Sequence, residues 1–146
     1  MLMTNPPAIG ESLHRLLHAY RRAMREGHAA AGIELPVTHI RALKGVAHSR
    51  SCSAQTIAGA LRLDKGQISR LIKDLRTDGL IEQRPDPDDS RSRRLSLTAE
   101  GTAMVERITV VEAKAGERMA AGLDDAQLRD FVRLADVMAA NLEDQE

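Results

Sequence analysis

Six polar side chains recur along one short stretch of the chain: Lys65, Gln67, Ser69, Arg70, Lys73 and Arg76. They alternate with Ile68, Leu71, Ile72 and Leu75, spaced i, i+3, i+4 and i+7, so a helix here turns its aliphatic row inward and its polar row outward. Gln, Ser and Arg carry donors and acceptors that match base edges, while Lys and Arg neutralise phosphates. Gln67, Ser69 and Arg70 stand toward the N-terminal end and are read as base-readers; Lys65, Lys73 and Arg76 are read as phosphate contacts. The competing readings are an ordinary solvated face and, for Gln67, a capping role. A second basic group, Arg91, Arg93 and Arg94, gathers at the end of the segment Pro85 to Arg93, whose prolines and aspartates keep it out of a core.

These side chains need elements to aim them. Ahead of Lys65, the residues Ala54, Ile57, Ala58 and Leu61 form another helical row, and only Arg62, Leu63 and Asp64 separate the two patterns. So short a link makes the helices cross sharply, as in a helix-turn-helix. Asp64 suits the N-cap of the second helix, with Gln67 three residues on as in a capping box, and Gly79 suits its left-handed C-terminal turn. Leu80–Arg84 and Arg94–Leu97 then read as two short strands around the charged tip. A helix-turn-helix followed by a basic-tipped hairpin is a winged helix. Its second helix is built to enter a major groove, and its wing to reach toward a minor groove. Asp89 is expected to pair with an arginine; Asp86 and Asp88 are read as turn formers.

Around this centre the chain is helical. Residues 1–8 read as a tail, with Pro6 and Pro7 blocking a helix start. A helix from Ile9 to about Ala31 carries Ile9, Leu13, Leu16, Leu17, Tyr20, Ala23 and Met24 on one side and ends at Gly32. The next opens around Pro36 with Val37, Ile40, Leu43, Val46 and Ala47 as its stripe. Ser49–Cys52 is a loop, and Ser53 caps the first helix of the central motif. Thr98 caps a long helix to about Gly122. A last helix, starting near Asp124, has Leu128, Phe131, Ala135, Met138 and Leu142 in a heptad-like seam. The fold class is therefore mainly α with a small β-hairpin wing, a single domain over 1–146. Its winged part covers about 36–97 and its terminal helices about 9–31 and 99–143. The first and last helices have apolar faces with no evident cover in one chain, which implies a homodimer built from both ends. Two-fold symmetry would set the two groove-entering helices roughly 34 Å apart.

The 146 residues suffice for a core, and 42% hydrophobic content fits a soluble globular chain. No apolar run reaches transmembrane length and the start has no signal pattern, so a cytoplasmic protein with no membrane partner is expected. Net charge is zero, with 21 Lys and Arg against 21 Asp and Glu, but residues 1–97 are basic and 98–146 acidic. The neutral total thus leaves room for a nucleic-acid face in the first part. No phosphate loop, Cys/His cluster or nucleophile motif points to an enzyme, and no cofactor is expected.

The order of elements, the segments DKGQISRLIKDLRTDGLIEQR and DPDDSRSRRLSLT, and the following Ala99-Glu100-Gly101 resemble the MarR family of bacterial transcriptional regulators. The most specific part is Asp89-x-Arg91 ahead of Leu97-Thr98-x-x-Gly101, together with Asp78-Gly79-Leu80-Ile81 and Arg84. The resemblance implies a dimeric winged-helix protein on pseudo-palindromic double-stranded operators, usually a repressor. Arg91 then matches the wing arginine that enters the minor groove, and Asp89 the acidic residue that shapes the wing. It also implies an effector, in many members a phenolic compound or small aromatic acid. His14, Arg15, His18 and His39 are the residues expected to line such an anionic pocket.

The sensing subtypes do not carry over. Peroxide-sensing members hold their cysteine in the first helix, whereas the one cysteine here, Cys52, precedes the helix-turn-helix. It is read as a free thiol, with a redox switch as the alternative because Arg50 nearby would lower its pKa. Metal-sensing members draw ligands partly from the long fifth helix, and this chain has no histidine after His48. His14 and His18 are spaced to share a metal but lack a third ligand in register, so no metal is expected.

Overall fold

The computed structural model describes residues 6–89 and 91–144. In chain order the elements are α1 (Pro6–Ala30), α2 (Val37–His48), α3 (Ala54–Leu61), α4 (Lys65–Thr77), β1 (Ile81–Pro85), β2 (Arg93–Leu97), α5 (Ala99–Ala120) and α6 (Asp125–Glu143). This is the mainly α fold with one hairpin that the residue pattern predicts. Its start differs: Pro6 and Pro7 lie inside α1 rather than in a tail. The first N–H groups of a helix have no partner within it, so proline costs nothing there. Residues 1–5 of the expected tail lie outside the described residues. The chain, read as one domain over 1–146, divides into two compact units, Met1–Glu112 and Ala113–Glu146, with the division inside α5.

The first unit holds the core. Ile40, Leu43 and Val46 of α2, Ile57 of α3, and Ile68, Leu71, Ile72 and Leu75 of α4 are buried together with Leu80, Ile81 and Leu95 around the hairpin. Ile108 and Val111 of α5 complete the cluster. Val37 and Ala47, assigned above to the stripe of α2, are exposed at its ends, and Ala42 is buried instead. The strands pair antiparallel, with Ile81 opposite Leu97, Gln83 opposite Leu95 and Pro85 opposite Arg93. Cys52, expected in a plain loop, forms an extra antiparallel bridge: its carbonyl accepts from the Leu95 N–H at 2.8 Å.

The ends of the central helices follow from their residues. Ser53 and Thr56 cap α3 reciprocally, as Asp64 and Gln67 cap α4. Arg62 closes α3 in the left-handed region, at φ 53°. Gly79, at φ +73°, closes α4 in a Schellman turn: Leu80 donates to the Leu75 carbonyl and Gly79 to that of Arg76. Thr98 caps α5, since Gly101 donates to its Oγ1 at 2.9 Å while that hydroxyl donates to the Gly79 carbonyl at 2.6 Å.

The apolar rows at the two ends of the chain remain uncovered. On α1, Ile9, Leu13, Leu16, Leu17 and Tyr20 are exposed. In the second unit, α6 buries none of its residues, and Phe131, Met138 and Leu142 of the heptad-like seam are exposed. Aliphatic rows this open offer apolar surface that burial against another apolar face would stabilise.

Candidate nucleic-acid interface

The capping box aims α4. Gln67 N donates to Asp64 Oδ1 at 2.8 Å, and Asp64 N donates to Gln67 Oε1 at 3.0 Å. The carbonyl end of Gln67 is therefore occupied, leaving only its amide N–H₂ for a bidentate base contact that would use both ends. Ser69, Arg70 and Lys73 project from the exposed side of α4, as does Lys65 at its first turn. Among the described residues none of Lys65, Arg70 and Lys73 makes an ion pair. Arg76 differs: its Nη1 donates to Gln83 Oε1 of β1 at 3.2 Å, which leans it toward the hairpin.

The wing tip carries two successive side-chain turns. Asp86 Oδ1 accepts from Asp88 N at 2.8 Å, and Asp89 Oδ1 accepts from Arg91 N at 2.9 Å. Asp89 Oδ2 also accepts from Ser92 Oγ at 3.3 Å. Asp89 thus shapes the wing, but through the backbone and Ser92. The expected pairing with an arginine is not made among the described residues, because its oxygens already face the N–H and hydroxyl of its own turn. Arg91 and Arg93 are left exposed, without ion pairs among the described residues. Arg94, grouped with them above, behaves otherwise: it reaches Ser51 Oγ at 3.2 Å and Asp86 at 3.8 Å. Arg84 pairs with Glu82 at 2.8 Å.

The four residues expected to share an anionic pocket do not come together. His14, Arg15 and His18 are exposed on α1. His39 lines a cavity of about 560 Å³ with Glu34, Asp74 and Asp78, its Nε2 at 3.1 Å from Asp74 Oδ2. Carboxylates there would repel an acid. A second cavity, about 480 Å³, lies between α1 and α2 and carries Arg21, Arg25, Arg41, Lys44 and His28 around Tyr20 and Met24. Lys44 pairs across it with Glu112 of α5 at 2.7 Å. His14, His18, Arg21, Arg25 and His28 form one row along α1, spaced 4, 3, 4 and 3. That spacing picks out Arg21 and Arg25, whereas His14, Arg15 and His18 lie turns too far toward the N-terminus of α1.

Cys52 is buried at 1% exposure, and burial pushes its thiol up, opposite to the lowering expected from Arg50. Among the described residues no group of three or more His, Cys, Asp and Glu is placed to hold a metal ion. Among them too, no helix is long and apolar enough to cross a membrane.

A capped exposed helix following a short turn, and a hairpin carrying open arginines beside it, define a winged helix-turn-helix protein. The family model of the MarR family matches residues 33–92, spanning α2 to the wing tip. The HTH-type transcriptional repressor IacR of Pseudomonas putida is 30% identical over 76 residues, which is 52% of this chain and 46% of that protein. A MarR-family transcriptional regulator from Silicibacter pomeroyi superposes with a TM-score of 0.71 at 25% identity, covering 88% of this chain and 86% of that one. A mutant MarR from E. coli in complex with operator DNA shares the fold at a TM-score of 0.74 and 18% identity, covering 90% and 93%. The chain is similar to the MarR family over residues 33–92. It spans about half the length of the curated relatives it matches.

Proposed function

We propose that this chain is a sequence-specific double-stranded DNA-binding transcriptional regulator acting as a homodimer. The observation that carries this reading is the pairing of two unneutralised basic surfaces, Arg70 and Lys73 on α4 and Arg91 and Arg93 on a wing whose tip Asp89 ties in place. α4 enters the major groove, with Ser69 and Arg70 reading base edges and Lys65, Lys73 and Arg76 holding phosphates; Arg91 reaches the minor groove. Gln67 serves first as the cap of α4. The uncovered rows of α1 and α6 support a second copy as partner.

IacR is named a repressor, and the E. coli neighbour was crystallised on operator DNA. Repression is accordingly the mode proposed, with release by a phenolic or aromatic acid ligand. The cavity between α1 and α2, with Arg21, Arg25 and Arg41 around an apolar floor, suits such an anion better than the one at His39. The test is binding to DNA beside the chain's own gene, wild type against Arg91→Ala, across a salt series. Tight, salt-sensitive, selective binding weakened by the substitution supports the reading; no selective binding across genome-wide fragments overturns it. Salicylate-like acids that raise the melting temperature and release that DNA support the ligand assignment; no thermal shift counts against it.

A further inference from the structure

We propose that Arg94 does not touch DNA but is the strut that sets the angle of the wing, and so decides where Arg91 lands. The inference rests on the DNA-binding reading above and adds a positioning residue to it. Arg94 lies on β2, next to Leu95, whose N–H is bonded to the Cys52 carbonyl just ahead of α3. At this junction the guanidinium spans two parts of the unit. Its Nη2 donates to Ser51 Oγ at 3.2 Å, in the turn before α3, and lies 3.8 Å from Asp86 Oδ1 at the neck of the wing. Its Nε is buried with no partner among the described residues, and its side chain is only 35% exposed. A phosphate contact would want the opposite: an arginine with its fork in solvent.

Asp86 is held as well. Its side chain is 22% exposed, its Oδ1 accepts from Asp88 N, and its own N–H donates to the Ser92 carbonyl at 3.0 Å. The chain Ser51–Arg94–Asp86 therefore runs from the helix-turn-helix to the base of the tip that presents Arg91. A planar fork with several fixed donors suits such bridging, where a lysine would supply only a point charge.

The test uses the full-length protein and the DNA fragment that wild type selects from genomic fragments, titrated across salt with Arg94→Gln, Arg94→Lys and Asp86→Asn. Asp86→Asn removes a negative charge beside DNA but keeps the acceptor for Asp88 N–H. Simple charge attraction therefore predicts tighter binding, whereas a strut predicts binding weaker by roughly two- to fivefold. For Arg94→Gln and Arg94→Lys the strut predicts weaker selective binding with the salt slope of wild type, and no further loss when Arg94→Gln is combined with Asp86→Asn. A salt slope lowered by about one per subunit in Arg94→Gln, restored by Lys, would make Arg94 a phosphate contact and overturn the proposal. So would tighter binding by Asp86→Asn, which remains decisive if Arg94→Gln fails to fold. A wild-type protein that selects no fragment overturns the regulator reading and this proposal with it.

Discussion

Gly101 stands against the carbonyl of Leu80 so closely that a Cβ on residue 101 would overlap the oxygen. That oxygen also accepts from Thr98 N at 3.1 Å, so it has little freedom to retreat. The first turn of α5 is thereby seated on the residue that links α4 to β1, which explains physically why a glycine follows Leu97-Thr98 at this spacing. Gly101→Ala is expected to destabilise the chain by about 2 kcal/mol or more, through a clash with backbone rather than a flexible side chain. Urea denaturation of wild type and variant checks this; a midpoint within error of wild type would mean that α5 can shift at no cost.

The reciprocal cap between Asp64 and Gln67 gives a second prediction. Asp64→Ala leaves the Gln67 N–H without its acceptor and is expected to cost about 1 kcal/mol. Asp64→Asn keeps an acceptor and should cost much less. If Gln67 serves mainly as the cap, Gln67→Ala should lower stability and weaken DNA binding without changing which base is preferred; a changed preference would restore it as a base-reader.

The fold was readable where local chemistry decides it. The 3.6-residue rows of α3 and α4, the caps Ser53, Asp64 and Thr98 and the turn at Gly79 all follow from neighbours in sequence, and the structure places them within a residue or so of expectation. What depended on residues far apart in the chain was not readable. Arg94 looks identical to Arg91 and Arg93 in a string of arginines, and only the approach of Ser51, 43 positions away, separates it from them. The pocket expected of His14, Arg15, His18 and His39 fails because Asp74, 35 positions beyond His39, holds its ring, a contact with no local signature. Cys52 gave no sign of burial because a bridge to Leu95 leaves no local pattern.

On α4 the proposed division of labour is testable within one helix. Arg70→Ala is expected to reduce discrimination between operator and competitor DNA by about 1–3 kcal/mol while leaving the salt slope nearly unchanged. Lys73→Ala should weaken binding to all sequences similarly and lower the salt slope by about one per subunit. Fluorescence anisotropy on matched and scrambled duplexes separates the two. Both residues are exposed, so neither substitution should move the unfolding midpoint appreciably. Equal effects on both duplexes from Arg70→Ala would demote it to a phosphate contact.

Cys52 is expected to behave as a core thiol. It is buried, its Sγ lies 3.8 Å from the Ser53 carbonyl oxygen as a weak donor, and desolvation raises its pKa in the folded chain above that of the unfolded one. The neutral thiol is thus the form the fold prefers. Its contribution to stability is fully present below the ordinary thiol value of 9.0 and is lost as pH climbs past that value and through the raised folded one. The stability advantage of wild type over Cys52→Ala should therefore shrink as pH rises above the ordinary thiol value. At neutral pH a thiol-specific disulfide reagent should label the native chain far more slowly than the urea-unfolded chain, because the thiolate is the attacking species and the sulfur is covered. Equal labelling rates, or oxidant-dependent DNA release that Cys52→Ser abolishes, would instead make this cysteine a sensor.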